Sequence, residues 1–166
     1  MKNYFHPLAL VIVLVAIHLS SFASDFNPAD FSDESNGTNW LTHGRTHSEQ
    51  RYSPLAQINA DNVANLGLAW SVDLPDARQL VATTLAIDGV LYSTGSFSVV
   101  TAIDARTKKI LWTYDPKVVE HAGDTLRVLW GTSRGVGYWS GKIYIGAGDG
   151  RLIAVDAKPA KKFGAP

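Results

Sequence analysis

Cysteine is missing from all 166 residues, so neither a disulfide framework nor a thiolate metal site can hold this chain together. A surplus of either charge is missing too. Fifteen Lys and Arg face fifteen Asp and Glu, which removes the electrostatic footprint of a nucleic-acid or anionic-membrane binder. No Ser/His/Asp set and no paired carboxylates stand in a catalytic arrangement. Long apolar runs are lacking except at the start, where Leu8 to Ile17 follows Lys2. That run is short for a membrane span. With Ser21-Phe22-Ala23 behind it, it reads as an export signal cleaved after Ala23, which leaves no membrane span; an uncleaved anchor is the alternative. His43 and His47 are four apart, but Gly44 and Pro54 argue against the helix that would make them joint metal ligands. They read as loop histidines.

What is present is a repeat. Gly89-Val90-Leu91-Tyr92 leads to Ala102-Ile103-Asp104-Ala105, and 52 positions later Gly141-Lys142-Ile143-Tyr144 leads to Ala154-Val155-Asp156-Ala157. Short-strand repeats of about 40 to 50 residues make propeller blades, each a small sheet that must stack on its neighbours. The expected strands of one blade are 79–87, 90–94, 99–103 and 110–114, with Asp88-Gly89 as a tight turn. Three strands of a second are expected at 135–139, 142–147 and 151–155, with Ser140-Gly141 and Asp149-Gly150 at the turns. Asp104 has the side chain to bond amides two residues on and start a turn, and Trp112 supplies a large apolar surface for docking. The glycine-rich run 146–150 precedes a strand, not a helix, so it reads as a hairpin turn rather than a phosphate cradle. Residues 24–38, polar and without period, read as a mobile lead-in, and 39–166 as the propeller part.

Ala102, Asp104, Thr107, Lys109 and Trp112 resemble the tryptophan docking motif AxDxxTGKxxW of quinoprotein dehydrogenases. Lys108 takes the glycine's place; if held at positive φ it costs about 1 kcal/mol. Asn39-Trp40, Gly44-Arg45, Gln50 to Leu55, Gln57 to Asn59, Asn62-Val63, Leu66 and Ala69-Trp70 resemble the opening segment of the pyrroloquinoline quinone (PQQ) dependent alcohol dehydrogenases. The resemblance implies an all-β fold, an incomplete β-propeller holding about two blades of an eight-bladed ring. It also implies that 66–72 is a strand completing a blade from the far end of a longer chain, so that missing blades are needed to close the ring.

The same resemblance implies a periplasmic enzyme that oxidises a small alcohol by hydride transfer to PQQ, with calcium, an aspartate base and a periplasmic electron acceptor. The base and calcium ligands lie in later blades, so this stretch alone is expected to be inactive. Arg134, followed by Gly135-Val136-Gly137-Tyr138-Trp139, stands where the family has a cofactor-binding arginine; a surface ion pair is its other reading. Two positions depart from the family. Val128-Leu129 replaces a cysteine pair, and Val81 replaces a cofactor-binding glutamate. Trp130 is the candidate to offer an aromatic face to the cofactor instead, with plain packing as the alternative. After Asp156-Ala157-Lys158 the motif's Thr-Gly-Lys is replaced by Pro159-Ala160-Lys161, which a one-base shift of reading frame produces, and an early frameshift is expected there. A non-catalytic propeller scaffold of the cell envelope is the rival reading, and a decayed gene without function is a third.

Overall fold

The computed structural model describes residues 26–74, 78–125 and 131–158. The expected signal segment and the expected frameshift position lie outside them. Among the described residues, no helix is long and apolar enough to cross a membrane.

Two antiparallel sheets make up the body. The first has four strands in sequence order, β1 (Leu85–Ile87), β2 (Val90–Thr94), β3 (Val100–Asp104) and β4 (Lys109–Tyr114). The second has three, β5 (Gly137–Trp139), β6 (Lys142–Gly146) and β7 (Leu152–Asp156). A five-residue helix α1 (Val118–Ala122) lies in the connection between the sheets. The expected strands are therefore found with shifted ends. Only the last three residues of 79–87 form a strand, because 79–84 leaves the sheet and meets the other blade through a parallel bridge from Thr83 to Gly135.

Burial runs across the first sheet as its residues dictate. The β-branched and small residues of β3, Val100 to Ile103, are all buried, whereas most of β4 is exposed or half-exposed. Both two-residue turns need positive φ at both positions, the condition for a tight hairpin that follows strand twist: 50° and 80° at Asp88-Gly89, 47° and 70° at Ser140-Gly141. Between β3 and β4, Asp104 accepts hydrogen bonds from the amides of Arg106 (2.8 Å) and Thr107 (2.9 Å). The Thr107 amide is the main cause holding the Asp104 carboxyl below its ordinary range, with desolvation opposing it. Lys108 sits at φ 64°, as expected of the position where the docking motif has glycine.

One carbonyl takes two of the contacts between the blades. Trp112 Nε1 and the Tyr92 hydroxyl both donate to the Ala157 oxygen, at 3.0 and 3.1 Å, and the two rings lie 6.0 Å apart. Burial raises the Tyr92 hydroxyl pKa to about 12, so it stays a donor. Trp112 docks on the second blade in the manner its motif predicts.

Two expectations need correction. Residues 26–38, though mostly exposed, are anchored rather than loose: Asn27 caps a 3-10 turn, Pro28–Ser32, in a capping box with Asp30. Phe31 of that turn is 4% exposed, against the rings of His47 and Trp139. Arg45, 3% exposed, pairs with the Glu34 carboxylate and donates to the carbonyls of Glu34 and Asn36. Polar composition hid this because its few apolar side chains, Phe26 and Phe31, are the ones that pack. Residues 66–72, read as a strand, form none. A strand exists only through a hydrogen-bonded partner, and none of the described residues pairs with it.

Replacing Lys108 by Gly is expected to stabilise the chain by about 1 kcal/mol, read as a higher urea midpoint at unchanged slope. Asp104 has a folded pKa below its unfolded value of 3.8. Its contribution is therefore full above that pH and is lost as acid titrates through the lower folded value. Asp104→Asn keeps one acceptor oxygen but no titration, so thermal midpoints measured from pH 6 to pH 3 should fall less steeply in the variant.

Candidate functional site

Antiparallel connectivity sorts the loops by end. The β1–β2 and β3–β4 turns lie at one end of the first sheet, while the β2–β3 loop and the connection after β4 lie at the other. The second sheet's Asp149-Gly150 turn faces this latter end as well, where Arg151 pairs with Asp149 and donates to the Pro116 carbonyl. Long connections gathered at one end of rigid sheets are where chemistry is housed.

The first part of the site is the extended approach to β1. Arg78 lies 4.8 Å over the Phe97 ring, and the Gln79 amide donates to Ser96 Oγ at 3.1 Å. Further along, the Thr83 amide donates to the Arg134 carbonyl at 3.2 Å. The second part is the approach to β5, residues 131–136, running beside it. Thr132 Oγ1 donates to Gln79 Oε1 at 2.7 Å, and the Phe97 amide donates to the Gly131 carbonyl at 2.5 Å. Gly131 has φ 56°, and a Cβ there would stand 2.8 Å from Phe97 ring atoms. Gly135, at φ 135°, lets the chain pass the Thr83 carbonyl, which an added Cβ would meet at 3.1 Å.

The backbone of Arg134 is thus held by its neighbours. Its side chain is exposed. Val81 is 50% exposed and two residues from Thr83, so Val81 and Arg134 lie on the two neighbouring approaches joined by the Thr83–Gly135 bridge. Trp130 and Val128-Leu129 lie outside the described residues. Sequence reading missed the clamp formed by Gln79, Ser96, Phe97 and Thr132. A run such as Gly95-Ser96-Phe97-Ser98 signals a loop, but not that Phe97 and Ser98 take φ of 53° and 63°.

An exposed guanidinium on a fixed backbone can bind a carboxylate or quinone oxygen through its planar fork. It fits the anionic edge of a PQQ-like group. Among the described residues there is no cluster of His, Asp or Glu that could hold a metal. His43 and His47 are loop residues, and His47 stacks on Phe31.

Two small antiparallel sheets, joined by an indole on a backbone carbonyl and carrying their long connection at one end, define a piece of a β-propeller. Residues 40–165 match the PQQ family, described as the glucose/ethanol/alcohol dehydrogenase β-propeller domain. The chain belongs to that family. It is similar to the dehydrogenase subunit of the alcohol dehydrogenase (quinone) of Komagataeibacter europaeus, 54% identical over 123 residues, 74% of this chain and 16% of that protein. It is also similar to the quinohemoprotein alcohol dehydrogenase ADH IIB of Pseudomonas putida, 46% identical over 154 residues, 92% of this chain and 22% of that one. Among solved structures, the quinohemoprotein alcohol dehydrogenase of Comamonas testosteroni matches at TM-score 0.72 and 44% identity, over 80% of this chain and 20% of its own. The chain spans roughly a fifth of the length of these relatives.

Gly131→Ala should lose about 1–3 kcal/mol, from the positive φ and the collision with Phe97. Chemical denaturation measures it, with Gly146→Ala, an open position at ordinary φ, as the near-neutral control.

Proposed function

We propose that this chain is the opening part of a PQQ-dependent alcohol dehydrogenase propeller, and that Arg134 holds an anionic edge of the quinone cofactor. Support comes from the family match, from relatives named as quinone and quinohemoprotein alcohol dehydrogenases, and above all from Arg134 standing exposed on a backbone clamped to the approach of β1. Bound in a complete propeller, the quinone would supply a hydride acceptor for the oxidation of a small alcohol. The role of the residues here is binding and orientation. Arg134 would grip a carboxylate or quinone oxygen, and the Thr83–Gly135 bridge would fix the distance between the two inner approaches. Trp130 would offer its indole as a face for the flat cofactor.

This stretch holds no base or calcium ligands in the family's positions, so we read it as inactive by itself. One relative is named a 1-butanol dehydrogenase (cytochrome c), and a periplasmic cytochrome is the electron acceptor we infer for the whole enzyme. Calcium would be held by residues of later blades.

A non-catalytic envelope scaffold is favoured by one observation, Val81. An aliphatic side chain cannot replace the hydrogen bonds and charge of a glutamate.

Titrating the chain with PQQ, with and without calcium, and following tryptophan fluorescence separates the two. Binding weakened about 10-fold to 100-fold by Arg134→Ala, as a lost charge-assisted pair of about 1.5–3 kcal/mol implies, supports the enzyme reading. Equal binding by both proteins, or none by either, favours the scaffold. No alcohol-dependent dye reduction is expected from the chain alone.

A further inference from the structure

The approaches to β1 and β5 are extended stretches that lie side by side. Among the described residues, one backbone bridge joins them, Thr83 to Gly135. A lone bridge fixes a point but leaves rotation about it free. A second rung lies further from the sheets, and side chains make it: Thr132 Oγ1 donates to Gln79 Oε1 at 2.7 Å. Gln79 is itself anchored, because its amide donates at 3.1 Å to the hydroxyl of Ser96, a fully buried residue of the β2–β3 loop.

The side-chain period of extended backbone decides what this rung controls. Gly131 and Ser133 are buried, whereas Thr132 and Arg134 are exposed. Thr132 and Arg134 therefore project to one face, two residues apart. The backbone there is tied at both sides, since the Gly131 carbonyl accepts from the Phe97 amide and the Arg134 carbonyl from the Thr83 amide. Those bonds set where the Arg134 side chain starts. They leave open a roll of the stretch about its own axis, which would swing the guanidinium, and a side-chain rung on the same face opposes that roll.

We propose that Gln79 is a positioning residue for Arg134: by holding the Thr132 hydroxyl it keeps residues 131–135 from rolling and points the guanidinium in one direction, toward the anionic group it binds. The inference rests on Arg134 being the cation that grips the quinone cofactor. A planar fork rewards a fixed direction, because both of its bonds form only when the plane is right. A neutral carboxamide suits the task. It offers an acceptor oxygen to Thr132 without a charge that would pair with Arg134 and compete with the ligand. Thr132 is exposed, and a hydrogen bond open to water adds little to folding. The pair acts on orientation, and its loss leaves an ordering cost that binding must meet, about threefold to tenfold in affinity.

PQQ titrations of Gln79→Leu, Thr132→Val, Thr132→Ser, Arg134→Ala and the Gln79→Leu/Arg134→Ala pair test it, beside urea midpoints of each. Gln79→Leu and Thr132→Val are each expected to weaken binding about threefold to tenfold at an unchanged midpoint, and Thr132→Ser, which keeps the hydroxyl, to bind as the parent chain does. With Arg134 already replaced, Gln79→Leu should change nothing further, the non-additivity of residues that act through one another. Without PQQ, the Thr83 amide that donates to Arg134 should exchange with solvent faster in Gln79→Leu. Binding that falls with Arg134→Ala but not with Gln79→Leu would overturn this proposal and leave the assignment of Arg134 standing. An equal effect of Gln79→Leu with and without Arg134, or a loss of binding that follows a lower midpoint, would overturn it as well. A parent chain that binds no PQQ, or binds it regardless of Arg134, would remove the assignment of Arg134 and this proposal with it.

Discussion

The oxygen of Ala157 is the joint of this structure. It accepts from Trp112 and from Tyr92, two large aromatic side chains of one sheet, while the amide of the same residue donates to Gly141 within the other. A small sheet has two faces and cannot bury both by itself. Stacking on a neighbour supplies the second cover, and an aromatic ring with a polar tip does this with both surface and direction. The contrast within the repeat makes the point. Tyr92, which meets the second sheet, is 3% exposed, while its counterpart Tyr144 is only half-buried.

Around that joint the chain is held by turns whose geometry is demanding. Asp88, Ser140 and Lys108 all take positive φ, a region that costs residues other than glycine about 1 kcal/mol or more. The sheets over-determine these positions, and Asp104 ties down the turn before Lys108 with two amide bonds. The opening segment adds a strap. Trp40 exchanges two backbone bonds with Ala86 of the first sheet, Phe31 and Phe26 reach Trp139 and Tyr138 of the second, and Arg45 stitches the strap to itself. These contacts bridge both sheets from the side opposite β2.

The same frame sets the site. Two inner approaches run in parallel past each other at Thr83 and Gly135, and Arg134 is placed by that crossing. The exposed Arg134 and the half-exposed Val81 stand on the two approaches joined there.

The sequence alone determined the repeat, the strands at its heart, both tight turns and the docking role of Trp112. Each of these rests on local preference: period-two patterning, turn residues whose side chains or freedom suit one backbone shape, and an indole at fixed spacing. Tertiary structure alone decided the rest. Residues 79–84 leave their sheet and meet the neighbouring blade at Gly135; Phe97 takes positive φ where its amide bonds Gly131 and its ring lies under Arg78. The polar opening segment becomes ordered because Phe31 finds a pocket between two rings. Residues 66–72 have a strand's pattern and no strand, because pairing belongs to the partner as much as to the sequence.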